Sequence, residues 1–313
     1  MTAPMPTRSS VSGGEIAVQG EFDLAASARF LTGFSPAGRP DAGAEPGALR
    51  LAFPIEGVWA HAGAVVRQRS PGSVGIEVHG PAGHAGAVVE QVTRMLSLDV
   101  DGRGFADVGG RDPVVSLVQG FHPGLRPVLF ASPYEAACWA VLSHRNSMQQ
   151  AAKLRERLTA KYGTEVDVGG VRLASFPAPA VLAELTYQQG FPGQKIQRLK
   201  AVADAAADGM LEPAALRAMP IDEAVKLLRL LPGIGPFSAE LILIRGAGHP
   251  DLFPLGESRL HAIMRDAYHL PDAKVGELAE IAEKWRPFRS WVTFLLRVEG
   301  EARAARARGR VVR

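Results

Sequence analysis

The chain of 313 residues has a single cysteine, Cys138, so it can form no internal disulfide and supplies no four-cysteine zinc or iron–sulfur site. Long apolar runs are also missing. The longest, around 114–118 and 241–244, fall far short of the roughly 20 residues a membrane helix needs. Residues 1–14 are rich in Ser, Thr, Gly and Pro and lack the apolar segment of a secretory signal. These absences point to a cytoplasmic protein in a reducing compartment, with no membrane partner. Charge of one sign is scarce: 35 basic against 32 acidic residues give a net charge of +3, and the pI is near 9.2. That basicity is local. Of the 35 basic residues, five are arginines in 301–313 (Arg303, Arg306, Arg308, Arg310 and Arg313), which leaves residues 1–300 with 30 basic against 31 acidic. A body this neutral cannot attract nucleic acid by bulk charge.

What is present is a 47% hydrophobic composition, enough for two domains with real cores. The fold class reads as α+β, a small mixed sheet domain followed by an all-helical one. Residues 1–14 read as a flexible N-terminus and 15–98 as a sheet domain, with alternating segments at 48–53, 58–66 and 74–78 and a helix over 81–98. The Gly- and Pro-rich stretch 99–132 reads as a connector, 133–300 as helices separated by Gly and Pro breakers, and 301–313 as an Arg-rich tail. In the expected helix 257–268, Leu260, Ile263, Met264 and Ala267 share one face, which puts Arg259, His261 and Arg265 on or near the other.

The sharpest local signal is Leu231-Pro232-Gly233-Ile234-Gly235-Pro236-Phe237, between expected helices at 222–231 and 237–245. Two glycines around one aliphatic residue make a tight hairpin in which Ile234 is buried while neighbouring backbone N–H groups stay free. With the positive end of the next helix behind them, such donors suit a phosphate oxygen. Pro232, Gly233, Ile234, Gly235 and Ser238 would then grip a nucleic-acid backbone without reading sequence. The same residues also fit an ordinary corner between two helices.

Downstream lie Asp251-Leu252-Phe253-Pro254-Leu255-Gly256-Glu257 and Trp285-Arg286-Pro287-Phe288. Upstream are Asp112-Pro113-Val114 and Pro123-Gly124-Leu125-Arg126-Pro127. With the hairpin, this arrangement resembles the helix-hairpin-helix superfamily of DNA glycosylases, in the alkylated-base branch typified by DNA-3-methyladenine glycosylase II. The resemblance covers about residues 100–300 and implies a monomeric base-excision repair enzyme, nucleoid-associated, that binds double-stranded DNA carrying a damaged base, an alkylated purine above all. It implies that the nucleotide is flipped out and its N-glycosidic bond hydrolysed. No zinc or iron–sulfur cofactor is implied, although a hydrated monovalent cation between hairpin carbonyls and phosphate is.

The family's catalytic aspartate falls at Glu257, which keeps the charge and adds a methylene. A glutamate there is also ordinary first-turn helix design. The alternative is therefore a damaged-DNA-binding homologue that has lost catalysis. Where some members carry a lysine nucleophile this chain has Phe237, so the expected enzyme is monofunctional and leaves the abasic site uncut. Lys195, Lys200 and Lys226 read as solvated charges. Phe30 and Phe237 match pocket aromatics, although Phe30 by itself reads more readily as core, while Leu241, Ser258 and Arg297 stand where relatives carry rings. Tyr187 and Gln188 fall in a loop near the pocket. His144, Arg145 and Asn146 take the place of a run facing the minor groove; a helix connection capped by Asn146 or Ser147 reads equally well. The Arg-rich tail reads either as a DNA-binding arm or as a disordered end.

Overall fold

The computed structural model describes residues 10–33, 45, 47–186, 191–307 and 309. An antiparallel sheet comes first: β1 (Ser10–Ala17), β2 (Ala48–Pro54), β3 (His61–Ser70) and β4 (Ser73–Gly80), in spatial order β1-β4-β3-β2. Alternation in β2 turns Leu49, Leu51 and Phe53 to the main core and Ala48 and Ala52 to the opposite face. Packed on the sheet are α1 (Leu24–Gly33) and α2 (Ala85–Met95), which buries Val88, Val92 and Met95 at helical spacing. Residues 10–14, expected to be flexible, belong to β1, because β4 offers an antiparallel edge for them to pair with.

The expected connector is itself helical. It contains α3 (Phe105–Arg111) and α4 (Pro113–Phe121), the latter capped by Asp112 Oδ1 on the amides of Val114 and Val115. Asp112 Oδ2 also accepts from Tyr268 Oη (2.6 Å) and Trp285 Nε1 (3.0 Å), so one carboxylate ties this segment to the C-terminal helices. Buried Arg126 similarly donates to the carbonyls of Glu21, Ser97 and Val100. Both Asp112 and Arg126 belong to the upstream motifs, and their task is to join the two halves.

At the centre of the second half lies α5 (Pro133–Ser143), whose residues 133–142 are all buried. Around it run α6 (Met148–Tyr162), α7 (Pro179–Ala183), α8 (Gly193–Ala207), α9 (Pro213–Ala218) and α10 (Ile221–Leu228). Then come α11 (Pro236–Leu241), α12 (Ser258–Ala267), α13 (Val275–Ala282) and α14 (Arg289–Ala307). One element breaks the all-helical expectation. A hairpin of β5 (Thr164–Val168) and β6 (Val171–Ser175) turns on Gly169 and Gly170, both at positive φ, and places Val168 and Leu173 against Ala48, Ala52 and Val65.

The tail also departs from expectation over 301–307, which continue α14. Buried Glu299 accepts from Arg303 Nε (2.8 Å) and Arg306 Nη2 (2.7 Å), and these ion pairs carry the helix onward. Arg308, Arg310 and Arg313 lie outside the described residues.

Candidate active site and DNA-facing surface

The turn between α10 and α11 forms as its glycines demand. Gly233 takes φ +88°, Ile234 is buried, and the Ile234 amide donates to Leu231 O at 3.0 Å. Gly235 is extended at the cap of α11, no side chain caps that helix, and Pro236 occupies its first turn. After α11 the helix loosens into a π-helical turn, Ile242–Ala247, a local unwinding that often marks functional positions.

Glu257 arrives from a loop that is pinned along its length. Asp251 pairs with Arg286 (2.9 Å) and Arg289 (2.8 Å), which makes it a structural anchor, in keeping with a loop residue. Ser290 Oγ receives the Leu252 amide at 3.0 Å. His261 Nε2 lies 3.0 Å from Pro254 O, and its ring packs near Phe253. His261 was expected on the exposed side of its helix and is instead buried, because the loop folds back over the first turn of α12 and covers it. Closest to the site, the carboxylate of buried Glu240 accepts the amides of Leu255 (3.0 Å) and Gly256 (2.9 Å). Burial pushes the Glu240 carboxyl above the usual carboxylate range, the nearby charge of Glu257 adds to that push, and the two amides oppose it. The fit is tight: a Cβ on Gly256 would stand 3.0 Å from the Phe237 backbone and 3.1 Å from Glu240 Oε2.

Half-buried Glu257 caps α12, with its Oε1 accepting the Arg259 amide at 3.2 Å. It also lines a cavity of about 360 Å³, and so do Phe30, Phe237, Leu241, Ser258, Arg297 and Asn146. Elements from both halves of the chain meet there. Phe30 and Phe294 pack edge to face, their ring centres 4.8 Å apart. Several wall residues carried no sequence signal: Phe130 falls in the stretch read as a connector, and Trp139, Arg245, Thr293 and Phe294 fall within expected helices with nothing to set them apart. Tyr187 and Gln188 lie outside the described residues.

The hairpin and the loop expected to face DNA are neighbours of this cavity. His144 and Arg145 are exposed, and Arg145 adopts a left-handed φ of +56°. Asn146 spends its amide nitrogen on Leu142 O (2.8 Å), while Ser147 is the cap, completing a capping box with Gln150 on α6. Two basic residues of α8 hold the loop in place. Lys195, which read as a solvated charge, is buried, and its Nζ donates to the carbonyls of Val141 (2.8 Å), Leu142 (3.0 Å) and His144 (2.8 Å). The unsatisfied carbonyls at the end of α5 attract it there. Arg198 reaches His144 Nδ1 at 3.4 Å and packs over Gly233, thereby bridging the loop and the hairpin. Slight desolvation by the neighbouring chain, followed by the charges of Arg198, Lys195 and Arg145, lowers the pKa of His144.

Comparisons with known proteins agree with this geometry. A family model described as HhH-GPD superfamily base excision DNA repair protein matches residues 138–287. A "Probable bifunctional transcriptional activator/DNA repair enzyme AlkA" of Mycobacterium tuberculosis is 33% identical over 202 residues, 64% of this chain. The chain spans only 40% of that relative's length. A Bacillus subtilis "DNA-3-methyladenine glycosylase" is 27% identical over 216 residues, covering 67% of this chain and 71% of the relative. Among solved structures, a 3-methyladenine DNA glycosylase from Archaeoglobus fulgidus superposes with a TM-score of 0.74 at 20% identity, over 92% of this chain and 98% of the other, and so shares the fold. The hairpin and the carboxylate loop both fall within the stretch that matches the HhH-GPD superfamily of base excision DNA repair proteins, and the chain is similar to 3-methyladenine glycosylases over about two thirds of its length.

Proposed function

We propose that this chain is a monofunctional DNA N-glycosylase. In this reading it acts as a cytoplasmic, nucleoid-associated monomer that flips a damaged base, an alkylated purine, out of double-stranded DNA and hydrolyses its N-glycosidic bond. The observation that carries the reading is Glu257 on the wall of a ring-lined cavity, one residue from a loop fixed to the hairpin's helix. The hairpin amides hold phosphate on the flipped strand, and Arg145, on its left-handed turn, faces the opened base stack. As the bond breaks, positive charge develops on the sugar. The Glu257 carboxylate stabilises it and takes the proton of the water that attacks C1′. Phe237 supplies no amine, so no Schiff base forms and the strand stays intact.

The chemistry needs no redox or electrophilic cofactor. The turn 231–235 contains no acidic residue, so the oxygens it offers a cation are neutral carbonyls. That donor set fits a hydrated monovalent ion bridging hairpin and phosphate better than a divalent one.

The test is to incubate duplexes that carry single defined lesions and compare strands with and without alkali. The reading expects breaks only after alkali, with release slowed in Glu257→Gln. If wild type releases nothing while Glu257→Asp does, the protein is a damaged-DNA binder that has lost catalysis.

A further inference from the structure

A second cavity, of about 790 Å³, opens between the β2–β3 turn and α2 on one side and α9 on the other. It shares no wall residue with the ring-lined cavity, and its volume is that of a small-molecule site. Its charge is unbalanced. Four carboxylates, Glu56, Glu90, Asp99 and Glu212, face two guanidinium groups, Arg94 and Arg217. Arg217 pairs with Asp99, and Arg94 with Glu56 at 2.6 Å. Glu212 spends its oxygens on the amides of Ala214 and Ala215 at the start of α9, and neither it nor Glu90 has a cationic partner among the described residues. Two negative charges are left over.

Glu56 is itself only half satisfied. Arg94 cannot turn to serve its second oxygen, because the carbonyls of Ala131 (2.9 Å) and Gly246 also hold the guanidinium. Glu56 Oε1 is left buried with no hydrogen-bond partner, a costly state for a charged acceptor. Burial pushes the carboxyl above the usual carboxylate range; Arg94 opposes that push and the charge of Glu212 adds to it, so the two carboxylates repel each other across the cavity. Trp59 lines the same wall and keeps a left-handed φ of +59°, which bulky residues rarely adopt, with its amide on Ile55 O at 2.6 Å. Its ring, Leu211 and Pro213 give the cavity an apolar side.

These features select the chemistry of a ligand. Among the described residues no three acidic or imidazole groups converge as a metal site requires, so the excess negative charge is spread along the walls. A compact divalent ion cannot meet it at one point, whereas an extended cation can. We propose that this cavity binds an aliphatic polyamine, with one ammonium group between Glu56 and Glu212, the methylene chain against Trp59 and Leu211, and a second ammonium at exposed Glu90 on the rim. A rotation about the soft terminal torsion of Glu56 presents Oε1 to the first ammonium, which supplies the donor that this oxygen lacks and keeps both carboxylates ionised. The Trp59 ring buries methylene surface and attracts the adjoining positive charge. Binding here makes and breaks no covalent bond and is independent of the chemistry at Glu257.

The experiment is isothermal titration of the DNA-free full chain with spermidine at an ionic strength of about 0.15 M, which screens loose surface association. A single spermidine is expected to bind per chain, and magnesium chloride at the same ionic strength is expected not to displace it. Glu56→Gln weakens binding by about tenfold or more. That variant also loses the ion pair to Arg94, so Ala214→Lys accompanies it: position 214 is an exposed part of the wall where a lysine leaves the core untouched, and its positive charge is expected to weaken binding by about tenfold or more. Glu280→Gln, which removes an exposed acid of α13 that does not line the cavity, keeps the wild-type affinity. No uptake of spermidine by the wild-type chain, equal affinity in wild type and Ala214→Lys, displacement of spermidine by magnesium, or an equal loss in Glu280→Gln each overturns the proposal.

Discussion

The carboxylate of Glu240 accepts the backbone amide of Gly256 at 2.9 Å and that of Leu255 at 3.0 Å, so the helix that follows the hairpin holds the chain one residue before Glu257. A single buried side chain thus connects the helix after the hairpin to the loop that presents Glu257. The consequence is testable. In Glu240→Gln one of the two amides meets an NH2 group, a lost bond and an unpaired donor worth about 1–3 kcal/mol. Glu257 then shifts, and since about 1 Å of misplacement can cost on the order of 100-fold, single-turnover release should fall at least tenfold with duplex affinity unchanged. Release at the wild-type rate would show that the loop does not depend on Glu240.

Two glycines of the hairpin should behave differently. At Gly233 an added Cβ would be 2.7 Å from Cδ and Nε of Arg198 on a backbone of φ +88°, so Gly233→Ala costs about 1–2 kcal/mol and also displaces Arg198 from His144. Gly235 has φ −89° and nothing near its missing Cβ, so Gly235→Ala leaves the melting temperature unchanged and reports only how closely DNA approaches. Fluorescence anisotropy should show Gly235→Ala weakening binding to damaged and intact duplexes alike. Wild-type affinity in that variant removes the hairpin from the interface.

Lys195 ties the end of α5 to the loop that presents His144 and Arg145. Lys195→Met leaves three carbonyls without their charged donor, a loss of about 2 kcal/mol or more, and loosens the loop. Thermal unfolding should shift down and duplex affinity should fall with it. An unchanged melting temperature would mean the ammonium group is dispensable.

Stability should also depend on pH through Glu299. Burial alone would raise its carboxyl, but the hydrogen bond from Arg303, the charge of Arg306 and His122 outweigh it and hold the pKa below the usual carboxylate range. The folded state therefore binds the proton less readily than the unfolded chain. The stabilisation is present above the ordinary glutamate range and is lost as pH falls through the lowered value. Glu299→Gln should melt lower than wild type at pH 7, and the gap should narrow on acidification below about pH 4. A gap independent of pH would contradict the pairing.

Much of this was legible in the sequence, and the exceptions have physical causes. Pro232, Gly233 and Gly235 announce the hairpin because backbone geometry is written directly in residue type, and Phe30, Phe237, Leu241, Ser258 and Arg297 do line one cavity with Glu257. Phe130, Trp139 and Thr293 were not legible: a cavity wall is made by packing between distant elements, and nothing local distinguishes these side chains from their neighbours in a connector or a helix. Lys195 was misread because a lysine on a helix is usually solvated, and only the tertiary position of the last carbonyls of α5 reverses that. The β5–β6 hairpin carried a Gly-Gly turn signal, but its strands are five residues long and bury only one face, too little alternation to stand out.

The central claim is that Glu257 supports cleavage of the glycosidic bond. It is tested most directly by single-turnover base release from a lesion-bearing duplex, wild type against Glu257→Gln, with affinity for an abasic duplex measured on both. The account predicts release slowed by about 10²–10⁴-fold with affinity within about threefold. Equal rates of release from the two proteins would contradict it.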